Sequence, residues 1–165
     1  MILRTAVMSF LSISLFFVAI NLHSEELDGS ARIKISGKVA QGISTSITVK
    51  EIELAGISDM EINDPFDNKT IYFTGVWLKD FIAKFGADGV KAVTFKAIDD
   101  YEISFSVNDW TGTRILLVTR ISKKYFNFEH KGPVRIVFPD YDPQTDNSKE
   151  VLPKWIWMIK NVEFR

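Results

Sequence analysis

The stretch "VWLKDFIAKFGADGVKAVTFKAIDDYEISFSV" (76–107) changes its apolar period half-way along, and that change decides the fold class. Val76, Leu78, Phe81, Ile82 and Phe85 recur at helical spacing and make one apolar stripe, with Gly86 where a helix C-cap belongs. After Gly89 the period drops to two. "AVTFKAI" and "YEISFSV" read as strands around the acidic turn Asp99-Asp100, a hairpin arrangement. A helix running into a hairpin is the signature of a mixed α+β domain.

The flanking sequence extends the same pattern. "RIKISGKV" (32–39) alternates Ile33, Ile35 and Val39 with polar neighbours and predicts a strand with one buried face. Thr48 stands three residues before Glu51, a capping-box spacing. Ile52, Leu54 and Gly56 then complete a helix of about two turns. "MEIND" and "KTIYF" are short strands separated by Pro65. "RILLVTR", "PVRIVF" and "WIWMIKNVEFR" supply the remaining strands. Between the last two lies "PDYDPQTDNSKEVLP" (139–153), a long stretch of turn formers without strand or helix signal, of the kind that is often functional. Many strands and two short helices predict an α+β domain with a largely antiparallel core.

At the N-terminus, Arg4 precedes an uncharged apolar run to Ile20 and a polar exit, "NLHSEELDGS". Basic start, apolar middle and polar exit predict a signal peptide over residues 1–24 and a single domain over 25–165. The run is short for a membrane span, which takes about 20 apolar residues. An uncleaved anchor is the alternative. The protein is therefore expected in the periplasm or secreted, with no transmembrane segment in the mature chain. Cleavage would remove one of the 20 basic residues and none of the 21 acids, moving the net charge from −1 to about −2. That balance argues against nucleic acid as a partner.

The chain has no cysteine, so disulfides, thiolate metal ligands and cysteine nucleophiles are all excluded. Beyond residue 24 the one histidine is His130, which rules out a histidine-rich metal site; no metal ligand is predicted. Thirteen Phe and four Trp in the full chain can build a core without cross-links.

Six segments in order, "ISGKV", "TGVWLKDFIAKFG", "VTFKAIDDYEISF", "LLVTR", "GPVRIVFP" and "PKWIWMIKNVEF", together resemble the molybdopterin-binding domain of the sulfite-oxidase family. They look most like its short, exported, stand-alone versions. The resemblance covers roughly residues 32 to 165 and implies a mostly antiparallel sheet or barrel-like core with helices packed on it. It also implies an oxidoreductase ancestry and molybdopterin as cofactor. In the family's enzymes a cysteine thiolate binds molybdenum between the first helix and the "GVWL" segment. Here that region is "GISDMEINDPFDNKTIYF", whose one sulfur is the thioether of Met60. A thioether does not supply the anionic charge of a thiolate.

The family's His-x-x-Pro-x-Arg pattern is matched by His130, Pro133 and Arg135, and its Lys-Trp pair by Lys154 and Trp155. Between them the enzymes carry a glycine-rich, arginine-containing loop against the cofactor phosphate. This chain has "DYDPQTDNSKEVL", with no glycine, no arginine and the acids Asp140, Asp142, Asp146 and Glu150. An acidic loop repels a phosphate.

The resemblance implies candidate ligand-binding residues Asp100, Tyr101, His130, Arg135, Lys154, Trp155 and Trp157, and no catalytic residue. Each has a plainer reading. Asp99 and Asp100 suit a turn by bonding nearby backbone amides. Arg135 is either the outward residue of an edge strand, snorkelling into water, or an anion clamp in a pocket. His130 and Lys131 suit a solvated turn. Trp155 and Trp157 alternate with Ile156 and Met158, so the indoles share a face, as core or as pocket wall. Trp77 and Phe81 read as core. On the family's fold these residues would form a pocket for a small, flat or anionic ligand, and Arg135→Ala would weaken binding while leaving the fold intact.

No group of reactive side chains is tied together by spacing, as an enzyme requires. The expected function is an exported, non-catalytic module binding a small molecule or an exported or membrane protein partner. The alternatives are a molybdopterin-dependent oxidoreductase, or its subunit, with a non-cysteine site, and a structural role without ligand.

Overall fold

The computed structural model describes residues 27–145 and 148–165. The expected signal peptide at 1–24 lies outside these residues, as does Asp146. The chain enters on β1 (Arg32–Gly37) and β2 (Ser46–Thr48), followed by α1 (Val49–Ile52) and a 3₁₀ turn (Glu53–Ala55). The capping box forms as read: Thr48 Oγ1 accepts from the Glu51 amide at 3.1 Å, and Glu51 Oε2 accepts from the Thr48 amide at 2.6 Å. Two long strands follow, β3 (Ile57–Asp64) and β4 (Lys69–Trp77), then α2 (Leu78–Phe85). The hairpin expected around Asp99-Asp100 is β5 (Ala92–Ala97) and β6 (Glu102–Ser106). The remaining elements are α3 (Val107–Gly112), β7 (Leu116–Ile121), β8 (Lys124–Tyr125), β9 (Arg135–Val137), α4 (Ser148–Val151) and β10 (Ile159–Phe164).

The strands form two sheets. The first has the order β2-β1-β10-β5-β6, antiparallel throughout except for the parallel β1–β10 pair. The second is β3-β4-β7, with β8 and β9 sharing the far edge of β7. Among the described residues no strand closes either sheet on itself, so their core is a pair of open sheets rather than a barrel. Among the described residues no helix is long and apolar enough to cross a membrane.

Helix α2 buries the predicted stripe: Leu78, Phe81, Ile82 and Phe85 all face the core. Val76 is buried too, but it belongs to β4, which runs straight into the helix. Gly86 caps α2 in an extended conformation (φ −84°) and not in the left-handed one. Space is what excludes a side chain there, because a Cβ would lie 2.8 Å from the Ile82 carbonyl oxygen. From Phe81 a chain of ring contacts crosses the core through Phe95, Phe105 and Phe138 to Trp155, each step 6.0–6.4 Å between centroids. Burial of these rings is the main stabilising term in a protein without disulfides.

Three elements differ from the sequence expectation. The last strand begins at Ile159, not Trp155, because Met158 takes a left-handed conformation (φ 58°) that breaks the extended run. The turn-rich stretch before it contains the short helix α4, and α3 forms after β6 on a capping box of Ser106 and Asp109. The signal for α3 was the Ser-x-x-Asp spacing.

One side-chain network fixes the 3₁₀ turn to the second sheet. Glu53 accepts from Thr119 Oγ1 (2.7 Å), Arg120 Nε (2.8 Å) and Nη2 (2.5 Å), and the Tyr125 hydroxyl (2.9 Å). Burial works to raise its pKa, but these bonds to Arg120, Thr119 and Tyr125 outweigh it and hold the carboxyl below the ordinary glutamate value. A depressed carboxylate stabilises the fold above its unfolded pKa of about 4.3, and that stability fades as pH falls through the lower folded value. Glu53→Gln is expected to lose about 1.5–3 kcal/mol at pH 7. In urea titrations the gap to the wild type should narrow steadily below pH 4; a gap independent of pH would contradict the assignment.

Candidate functional site

Strand β9 explains the fate of Arg135. One of its edges pairs with β7 (Leu117 opposite Ile136, Val118 opposite Arg135). The other is covered by the segment leading into β10: Ile136 donates to the Ile156 carbonyl at 2.7 Å, Ile159 to that of Val134 at 3.2 Å, and Arg135 bridges Trp157. The strand is therefore interior and ties the two sheets together. Arg135 has 0% exposure, so it does not snorkel from an edge.

Its charge is met from within. Arg135 Nη2 donates to Asp64 Oδ2 at 2.7 Å, and both side chains are fully buried. Asp64 ends β3, and its other oxygen accepts from the amides of Phe66 (2.9 Å) and Asp67 (3.1 Å), so it closes the β3–β4 turn at the same time. Three rings pack on the guanidinium, Phe73 at 5.3 Å, Trp155 at 5.9 Å and Trp157 at 6.0 Å. Burial pushes the Arg135 pKa below the usual arginine range, and the Asp64 and Asp67 carboxylates offset part of that. Nε and Nη1 meet no acceptor among the described residues.

In front of the indoles is a cleft of about 260 Å³. Phe66, Tyr101, Trp155 and Trp157 line it, Leu152 and Pro153 form part of its rim, and Asp99 is the one charged residue among its lining. Phe66 stands edge-on to Trp157 (5.0 Å) and tilted to Trp155 (6.0 Å), in the place that the Asp64 turn gives it. The Tyr101 hydroxyl donates to the Pro153 carbonyl at 2.9 Å, so it holds the rim and is already engaged. Lys131 lies over the Trp157 ring at 5.5 Å and pairs with Asp67.

Of the seven candidates, Tyr101, Trp155 and Trp157 meet in this cleft and Arg135 sits behind it. The other three lie elsewhere. Asp100 points into solvent in a left-handed turn residue (φ 68°), paired with Lys96 (3.3 Å) and Lys160 (2.9 Å). Lys154 pairs with Asp109 at 3.0 Å. His130 is exposed beside the Asn127 side chain, 3.2 Å from its oxygen. Sequence reasoning missed Asp64 and Phe66. The available signal was "DPFDN" (64–68), an aspartate before Pro65 with amides two and three residues on to bond.

Residues 58–163 match the family described as "Oxidoreductase molybdopterin binding domain". The chain belongs to this family. No curated protein matches it. The resemblance carried by the six sequence segments and the α+β architecture thus hold together.

The molybdopterin family's cofactor can be tested against these residues. No thiolate exists in the chain, and among the described residues no three His, Asp or Glu side chains come together as a metal site. Arg135 and Lys154, the matches to the family's cationic positions, are each committed to an internal carboxylate. The cleft beside them carries a carboxylate and no cation. The donor set does not fit a metal-bearing anionic cofactor.

The expectation that Arg135→Ala leaves the fold intact is also corrected, since it would strand the buried Asp64. Removing one partner of such a pair costs about 3–5 kcal/mol. Arg135→Ala should lower the urea midpoint accordingly, and Asp64→Leu with Arg135→Met should regain most of the loss. A wild-type midpoint for Arg135→Ala would show that the pair does not support the fold.

Proposed function

We propose that this member of the molybdopterin-binding-domain family is an exported, non-catalytic binding module whose ligand is small, flat and uncharged. The observation that carries the reading is the closed Asp64–Arg135 pair behind a ring-walled cleft. The arginine is fully buried and its Nη2 is paired with Asp64 inside the protein, and the face offered to a ligand is aromatic. The anionic ligand suggested by the sequence loses its support, because Asp99 would repel it and no lining cation would hold it. At about 260 Å³ the cleft is slightly smaller than ordinary ligand pockets of roughly 300–1,000 Å³, which suits one or two fused rings. Phe66 and Tyr101 are both close to half exposed, so the rings are reachable from solvent. Export rests on the Arg4-to-Ile20 pattern, and N-terminal sequencing of periplasmic protein tests it.

The second reading, an oxidoreductase with a non-cysteine site, is favoured by the family match itself. Elemental analysis of protein from a molybdenum-replete host separates the two. The binding-module reading predicts no stoichiometric molybdenum; about one atom per chain after gel filtration would establish the oxidoreductase reading.

Native mass spectrometry of protein purified from the periplasm should reveal a co-purifying neutral ring compound. Phe66→Ala should weaken that compound about tenfold, equivalent to about 1.4 kcal/mol, with little loss of stability. Tyr101→Phe should change binding little, since its hydroxyl serves Pro153. Equal binding by Phe66→Ala and the wild type would remove the cleft from consideration.

A further inference from the structure

A second cavity, which shares no lining residue with the first, opens between the start of α2 and helix α3 and has a volume of about 350 Å³. Its apolar floor includes Leu78 and Ile115, which are buried, and its walls include the indoles of Trp77 and Trp110, both half-buried. Trp77 packs against the core, as its sequence position suggested, and is half-buried: it ends β4 and also lines this cavity, with the Arg114 guanidinium 5.0 Å from its ring. Trp110 lies on α3, a helix with no buried residue. Its indole packs against the edge of the core and leaves part of its surface to the cavity.

The charge of this cavity is opposite to that of the first. Its lining holds two cations, Lys79 and Arg114, and no acid. Arg114 shares its charge with Asp140, 2.8 Å away and outside the lining, and both side chains are exposed. The Lys79 side chain makes no hydrogen bond or ion pair among the described residues. A cavity with two indole walls and cations on the same lining selects a planar ring that carries a negative group. The ring gains contact with indole, and the anion gains Lys79 and the free donors of Arg114.

We infer that the Trp77–Trp110 cavity is a separate binding site for aromatic anions, a planar ring bearing a carboxylate or phosphate. It is independent of the ligand proposed for the Phe66–Trp157 cleft, and its failure would leave that reading untouched. The probe is 2-naphthoate, with 2-naphthalenemethanol as its uncharged counterpart, titrated into ¹⁵N-labelled protein. The indole N–H signals of Trp77 and Trp110 should shift saturably with 2-naphthoate while those of Trp155 and Trp157 stay in place. The alcohol should bind more weakly. Lys79→Gln should weaken 2-naphthoate about fivefold, and Arg114→Gln added to it should weaken it further. Both positions are exposed, so these variants keep the fold, and their unshifted core signals verify it. Phe66→Ala should bind 2-naphthoate as the wild type does. Absence of saturable shifts, shifts confined to Trp155 and Trp157, or equal binding by the Lys79→Gln/Arg114→Gln variant would overturn the inference.

Discussion

The ion pair between Asp64 and Arg135 is the constraint on which the other features rest. It joins the end of β3 to the strand that links the two sheets, and neither side chain touches solvent. Transfer of two charges from water into such surroundings is expensive, and a single pairing contact does not by itself recover that cost. The remaining support is specific: two turn amides on Asp64 and three aromatic rings around Arg135. The pair therefore acts less as a source of stability than as a fixed point for geometry. Any packing that separates β3 from β9 leaves a buried charge alone.

From that fixed point the candidate site follows. Asp64 sets the turn that places Phe66, and Phe66 covers the two indoles. The indoles in turn pack on the guanidinium, so cleft wall and ion pair are two sides of one layer. This arrangement accounts for a domain that keeps the molybdopterin-binding fold while presenting an aromatic, acid-tipped face. The cations that could have met a phosphate are bound to carboxylates of the same chain. The two cavities described differ in the charge of their linings, with Asp99 at one and Lys79 and Arg114 at the other.

Much of this was legible in the sequence, for a physical reason in each case. Helical and strand periods are local, so α2 and the β5–β6 hairpin could be read from a short window. The Thr48–Glu51 capping box was readable because its partners are three residues apart. Arg135 was not, because its environment depends on contacts 71 residues away in Asp64 and on the Trp155–Met158 segment covering its strand. Its apolar neighbours Val134 and Ile136 show a buried strand but say nothing about the counter-ion. Tyr101 and the indoles could be nominated from the resemblance, yet the engagement of the Tyr101 hydroxyl by Pro153 is a tertiary fact. Met158 illustrates the same limit at the backbone: nothing in "WIWMIK" announces a left-handed residue.

The central claim is that the charge of Arg135 is spent inside the protein and is not available to a ligand. Nitrogen-15 spectra of the arginine side chains test it directly, with Arg135 assigned by substitution to lysine. The account predicts an Arg135 Nε–H that exchanges slowly with water and does not move when inorganic phosphate is titrated to millimolar concentration. A rapidly exchanging Nε–H, or a saturable shift with phosphate, would contradict it and return Arg135 to the role of an anion clamp.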